Sequence, residues 1–408
     1  MAHQKERRFY IVKDRDNMQE PPFQDDSLRE MEKEKRRHKG WYRKLAAAGI
    51  IAAAIALAVL LIVSYLKTYT GMHVSATYKI GNVSNNSYKE FADGVLKYSR
   101  DGIVYLNLKG EEQWNQPYQI KNPFIDANGD SAAVADKGGN DIFVFQKSGL
   151  KGEIKTTLPI EKIAVSGQGI VAAVLKSESS PRIICYDTAG NVLVEHKTSL
   201  TGVGYPVDIA LSPDGQVLQV AYLSVGGGEM ASRVCYYNFG KGGAEKTDHQ
   251  VMEKQYKGKI IGYGFFMDES VSAAVGNDCL TIFKGREEPK EKATVPISGE
   301  IQNVFHNDKY IGIILRAAGS GKYEVCLYNS SGKRVLSRAL DGEYKAAKLS
   351  GGQIILYDGK KCSMITRLGT RRFEGEFNNN ILEIFPAFGI NKYIVMDANG
   401  MEDIRLIK

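Results

Sequence analysis

Residues 182–196 read RIICYDTAGNVLVEH, and residues 323–337 read YEVCLYNSSGKRVLS. Each is an apolar run with a Cys and a Tyr, then an Asp or Asn, a Gly, and a second apolar run. Asp187-x-x-Gly190-x-x-x-Val194 is matched by Asn329-x-x-Gly332-x-x-x-Leu336. β-favouring residues on both sides of an Asx-to-Gly turn, where Gly accepts positive φ, spell a hairpin. The same hairpin written twice points to a repeat, and a repeat sets the architecture.

The phrase recurs along the chain. IVYLNLKG ends at Gly110, IFVFQKSG at Gly149, IICYDTAG at Gly190 and VCYYNFG at Gly240; CLTIFKG ends at Gly285, VCLYNSSG at Gly332 and CSMITRLG at Gly369. The mean spacing, roughly 43 residues, is the period of a four-stranded propeller blade. Earlier strands precede the phrase, as in EKIAVSG and GIVAAVLKS before Cys185. After EDIRLIK the chain stops one strand short, while HVSATYKIG (73–81) stands alone near the other end. Joining that strand to the last three would close a ring and remove its edges. The expected fold is all-β, an eight-bladed β-propeller with seven blades as the alternative count.

Asn107-x-x-Gly110-x-x-x-Trp114 carries a further mark, a Trp seven residues after the Asn. With the Asp187 and Asn329 copies, it resembles the repeat of quinoprotein-like (PQQ/WD40-like) propellers, whose Trp docks neighbouring blades. LSPDGQVL (211–218) is similar to a hairpin of other bacterial propellers. The whole layout resembles an uncharacterised bacterial domain-of-unknown-function family of single-pass membrane proteins. That resemblance implies a fold and no activity. Quinone-dependent oxidation would need a floor Trp, a catalytic Asp, Ca²⁺ ligands and usually adjacent cysteines. The propeller has one Trp and no adjacent cysteines.

Net charge is +7, and residues 1–44 hold thirteen Lys/Arg against nine Asp/Glu. The basic excess is therefore local, and no nucleic-acid partner is expected for the main domain. It abuts LAAAGIIAAAIALAVLLIVSYL (45–66), which contains no charge. As a helix this run would rise about 33 Å, enough for a hydrocarbon core of about 30 Å. The flank KEKRRHKGWYRK (33–44) puts the N-terminus in the cytoplasm by the positive-inside rule. Ser27-x-x-Glu30 reads as a capping box that starts the helix near Leu28. The expected organisation is a cytoplasmic tail (1–44), a transmembrane helix (45–66), a linker (67–72) and an extracytoplasmic propeller (73–408). The tail segment RRFYIVKDRD is a candidate ligand for a cytoplasmic partner.

No catalytic, cofactor-binding or metal-binding residue is readable, and no cofactor is expected. His73, His196, His249 and His306 lack metal-ligand spacing. GSGK (319–322) lacks the upstream Gly of a phosphate loop. DANGD (126–130) looks like part of a Ca²⁺ loop but has no distal Glu and fits a turn. Cys185, Cys235, Cys279, Cys326 and Cys362 fall at similar third-strand positions of five blades, so free, buried thiols are expected.

The longer loops KSESSPR (176–182), SVGGGEMASR (224–233), RAAGSGK (316–322) and the stretch 240–257 are assigned to one face, opposite the tight turns. Function concentrates on such loops. The candidate partner-binding residues are Glu178, Pro181, Arg182, Glu229, Met230, Arg233, Lys254, Tyr256, Lys322 and Tyr323. The expected role is a non-enzymatic platform in the cell envelope that binds a protein or glycan. A transmembrane sensor and a divergent propeller enzyme are the alternatives.

Overall fold

A computed structural model of the chain describes residues 26–80, 86–177, 180–198, 202–226 and 228–408. One helix, Asp26–Tyr65, begins close to the capping box and includes nearly all of the uncharged run. Among the described residues, no helix is long and apolar enough to cross a membrane. The tail segment RRFYIVKDRD lies outside the described residues. Tyr65–Lys408 forms a compact unit of its own.

That unit is an eight-bladed β-propeller, with eight sheets of four antiparallel strands each. Blades 1 to 7 each take four consecutive strands, over 87–117, 123–155, 160–197, 205–257, 261–296, 300–340 and 346–376. Blade 8 takes its inner three from Glu383–Pro386, Lys392–Asp397 and Gly400–Ile407, and its outer strand from Gly71–Tyr78. The ring is closed by the strand expected to close it. Its bounds differ slightly, starting two residues before His73, and Gly81 lies outside the described residues.

The repeated phrase acquires a physical reading. Asn107 Oδ1 accepts from the backbone N–H groups of Lys109 and Glu111 (2.9 and 3.0 Å). Asp187 does the same for Ala189 and Asn191, and Asn329 for Ser331 and Lys333. The third residue after each is Gly at positive φ: Gly110 at 75°, Gly190 at 83° and Gly332 at 81°. An Asx side chain thus satisfies two turn donors, and Gly supplies the left-handed residue. Neighbouring blades give a second reason for Gly. A Cβ on Gly110 would stand 2.9 Å from Tyr78, and one on Gly332 would stand 3.1 Å from Ala293 and Val295. The outer strand of the preceding blade packs on the turn.

Trp114 makes the same contact with more area. It stacks on Phe145 of blade 2 (5.4 Å, 6°), and its Nε1 donates to the Lys147 carbonyl (2.9 Å). Blade docking by Trp, implied by the family resemblance, holds here. The apolar core follows the same logic: eight hydrophobic clusters each draw on two adjacent blades. The core therefore lies between the blades, and each blade is buried on both faces.

The five cysteines are free, buried and on third strands, as expected. Their positions are not equivalent in facing. Cys185 packs toward blade 4, whereas Cys235, Cys279 and Cys326 pack toward the blade before their own. Blade 4 also corrects the repeat. Gly240 is extended (φ −87°) rather than left-handed, and two short 3₁₀ turns, Lys241–Gly243 and Thr247–His249, follow it.

Gly332→Ala should destabilise the propeller by about 1–3 kcal/mol, since it forces an Ala into left-handed backbone against blade 5. Lys333→Ala, one residue on and exposed, should stay within about 0.5 kcal/mol of the parent. Urea unfolding of the two variants checks this; equal midpoints would remove the packing role of the turn glycine.

Candidate functional site

The two faces of the ring differ as the turns suggested. First-to-second and third-to-fourth connections share one face; second-to-third and blade-to-blade connections share the other. Three of the four predicted loops are second-to-third connections. The fourth is not. Residues 239–249 join the third and fourth strands of blade 4, on the tight-turn face, and Gln250–Lys257 is that blade's outer strand. Burial alternates from Met252 to Lys257 as a strand requires, and Ser232 pairs with Tyr256.

Lys254 and Tyr256 are therefore strand residues rather than loop residues. Lys254 Nζ reaches Glu291 Oε1 of blade 5 (2.7 Å) and lies 5.0 Å from the Tyr256 ring centre, and Tyr256 is buried. They tie blade 4 to blade 5. Pro181 is also buried, and its carbonyl accepts from the Thr198 N–H and hydroxyl (3.1 and 2.8 Å). Arg182 is paired across the sheet with Glu195 (3.0 Å), and Arg233 with Glu253 (3.6 Å). Tyr323 donates from its hydroxyl to Glu343 (3.3 Å), and Lys322 is exposed on the loop. Glu178 lies outside the described residues.

What stands out on this face is a hairpin. The second and third strands of blade 4, Val217–Gly226 and Glu229–Asn238, each run for 10 residues and pair to their tips, Gly226 against Glu229. Elsewhere the second and third strands have 5 to 8 residues. The extension carries Glu229, Met230 and an exposed Val225 (73% exposed) beyond the sheet.

A second constellation sits in the central channel, lined by the first strands. Its ionisable groups cross-link neighbouring blades. Lys162 Nζ meets Asp208 Oδ1 (2.6 Å), and Asp208 Oδ2 accepts from the Gly264 N–H (2.8 Å). Asp126 accepts from the Val165 N–H (2.7 Å). Lys348 bridges Glu90 (2.9 Å) and Glu383 (2.7 Å), so it spans blades 1, 7 and 8. His306 stacks on Phe265 (3.8 Å, 9°). A cavity of about 530 Å³ opens onto Asp126, Lys162, Asp208, Tyr263 and His306.

Burial governs the electrostatics. It raises both the Asp126 and Asp208 carboxyls, with backbone donation to Asp126 and the Lys162 charge beside Asp208 only partly offsetting it. It lowers His306 to about 4, with the Lys89 charge acting the same way. None of these residues was singled out as functional from sequence. Their signal was an ionisable residue recurring within the apolar first strands: IEKIAV, YPVDIAL and LEIF.

The sequence matches the family of unknown function DUF5711 over residues 65–406. The chain belongs to that family. No curated protein matches it. The DUF5711 propeller resembles the crystal structure of BamB from Moraxella catarrhalis, with a TM-score of 0.50 and 12% identity over 83% of this chain and 100% of that one. Lower similarity extends to a chain of the mitotic checkpoint complex (TM-score 0.45, 11% identity, 75% of this chain and 92% of that one). A chain of Kuenenia stuttgartiensis hydrazine synthase is similar at TM-score 0.43 and 12% identity, over 74% of this chain and 98% of that one. At these identities the likeness is one of fold.

His306 in the DUF5711 propeller makes acid stability testable. A folded-state value of about 4 lies below the ordinary 6.5, so this stability is complete above about pH 6.5 and is lost as pH falls toward 4. At about 1.36 kcal/mol per unit, the loss reaches about 3 kcal/mol near pH 4. His306→Gln should flatten the stability profile in that window; an unchanged profile would place the acid sensitivity elsewhere.

Proposed function

We propose that the chain is a membrane-anchored, non-enzymatic binding platform, with its N-terminus in the cytoplasm and its propeller outside. The anchor rests on the uncharged run 45–66. Its large side chains Ile50, Ile51, Ile55, Leu57 and Leu60 are exposed on the part of the helix that carries no charge. A helix of that kind needs lipid or protein around it. The basic flank 33–44 sets the orientation.

The blade 4 hairpin is the single observation that carries the platform reading. It is a ribbon paired out to Gly226 and Glu229 that lifts Val225 and Met230 into solvent, and exposed apolar residues are what a partner's pocket takes. The partner class is an envelope protein or glycan. A second reading, a sensor whose cytoplasmic tail has its own partner, draws on the channel cavity with its buried carboxyls. There the ligand would be small and polar, and changes at the hairpin would leave its binding intact.

Photo-crosslinking in intact source cells tests the platform. A benzophenone side chain in place of Met230 should give a discrete adduct, and one in place of Ser148, on the opposite face, should not. Adding Val225→Glu should cut the yield roughly tenfold, equivalent to about 1.4 kcal/mol. Equal adducts from both faces, or none from position 230, would overturn the hairpin's role.

A further inference from the structure

The tight-turn face is polar at most of its tips. Gln168, Asp214, Asp268 to Ser270 and Asp308–Lys309 occupy the first-to-second turns of blades 3 to 6. Val192, Leu193 and Val335 are exposed beside the third-to-fourth turns of blades 3 and 6, but the two most exposed apolar side chains of this face, among the described residues, are on blades 7 and 8. Leu368 is 67% exposed in the third-to-fourth turn of blade 7, and Phe388 is 97% exposed in the first-to-second turn of blade 8, beside exposed Ile390 and Ile407. A phenylalanine held almost entirely in water, in one turn with exposed Ile390 and next to the strand end at Ile407, calls for a covering surface.

These two blades also receive the chain from the helix. Thr68 Oγ1 donates to the Arg371 carbonyl (3.1 Å), the Tyr69 N–H to Arg372 (2.8 Å) and the Thr70 N–H to Ile407 (3.1 Å). Tyr69 is buried with the Arg372 guanidinium 5.4 Å from its ring centre, and Arg372 in turn donates to the Ile390 carbonyl. Asn391 and Leu406 exchange two further hydrogen bonds (2.7 and 2.9 Å). The apolar tip and the entering chain are thus braced on the same few residues.

We propose that this patch docks on the lipid bilayer, with Phe388 and Ile390 dipping into the headgroup boundary. The proposal rests on the membrane-anchor reading. Charge fits a lipid surface: Lys67 and Lys408 are exposed on blade 8's side of the chain entry with Lys392 half-buried, while Arg367 turns to Tyr310 of blade 6 (3.5 Å) and Arg371 is matched by Asp341 and Glu374. Apolar side chains flanked by Lys are the pattern of a shallow lipid contact. The tether makes the contact intramolecular, so weak insertion is enough to populate it. Blade 4 lies opposite blade 8 in a ring of eight, so its hairpin and this patch are on different sides of the ring.

The test uses the full chain in vesicles of phosphatidylcholine and phosphatidylglycerol, with Leu57, Phe388 or Gln168 replaced in turn by p-benzoylphenylalanine. After irradiation, mass spectrometry should find lipid adducts at positions 57 and 388, and few at 168. Adducts at 57 without any at 388 would overturn the docking while leaving the anchor intact. Absence at 57 would overturn the anchor and the docking with it. A protein adduct at 388 would assign the patch to a second copy of the chain.

Discussion

Everything in this molecule hangs on one antiparallel ladder, Gly71–Tyr78 against Gly400–Ile407. It runs from Gly71 opposite Ile407 to Tyr78 opposite Met401, with an irregularity between Val74 and Ala76. Without it the last blade would expose a strand edge between two neighbours that need its outer surface. A ring has no spare edge, so the ladder decides whether the other interfaces close. Tyr78 then packs on the turn glycine of blade 1, and Met72 and Val74 pack against the cluster shared by blades 7 and 8. The residues that follow the helix are the ones that lock the ring.

Three concentric layers hold the blades together around that closure. The channel is tied by charge and hydrogen bonds between first strands, as in Lys162 with Asp208. The middle is apolar, one cluster per interface. At the rim, outer strands press on the next blade's turn glycine or, at Trp114, on a ring and a carbonyl. Burial makes the inner layer sensitive to pH and the middle layer sensitive to volume. What projects from this frame is a paired hairpin on one face and an exposed apolar tip on the other.

The repeat was legible because one local device, the Asx turn closed by Gly, is written into neighbouring residues. Asn107, Asp187 and Asn329 each announce it. Closure was legible because a strand was missing at one end of the chain and spare at the other. The channel was not, because Lys162 and Asp208 are 46 residues apart and meet only once the blades are packed. Blade 4 misled for a related reason: Gly240 stands at the right spacing but is extended, so the stretch after it hid an outer strand. The cysteines show the same limit. Cys185 lies two residues before its turn Asp and Cys326 three before its turn Asn, and that change of parity alone turns them toward opposite neighbours.

Amide hydrogen exchange of the full chain, read by mass spectrometry, tests ring closure most directly. If the 71–78 strand locks the propeller, its amides should exchange as slowly as those of Gly400–Ile407, and both should open together with the core strands. Rapid exchange of 71–78 while the strands of blades 1 to 7 stay protected would mean that the ring holds without it, and the account would be wrong.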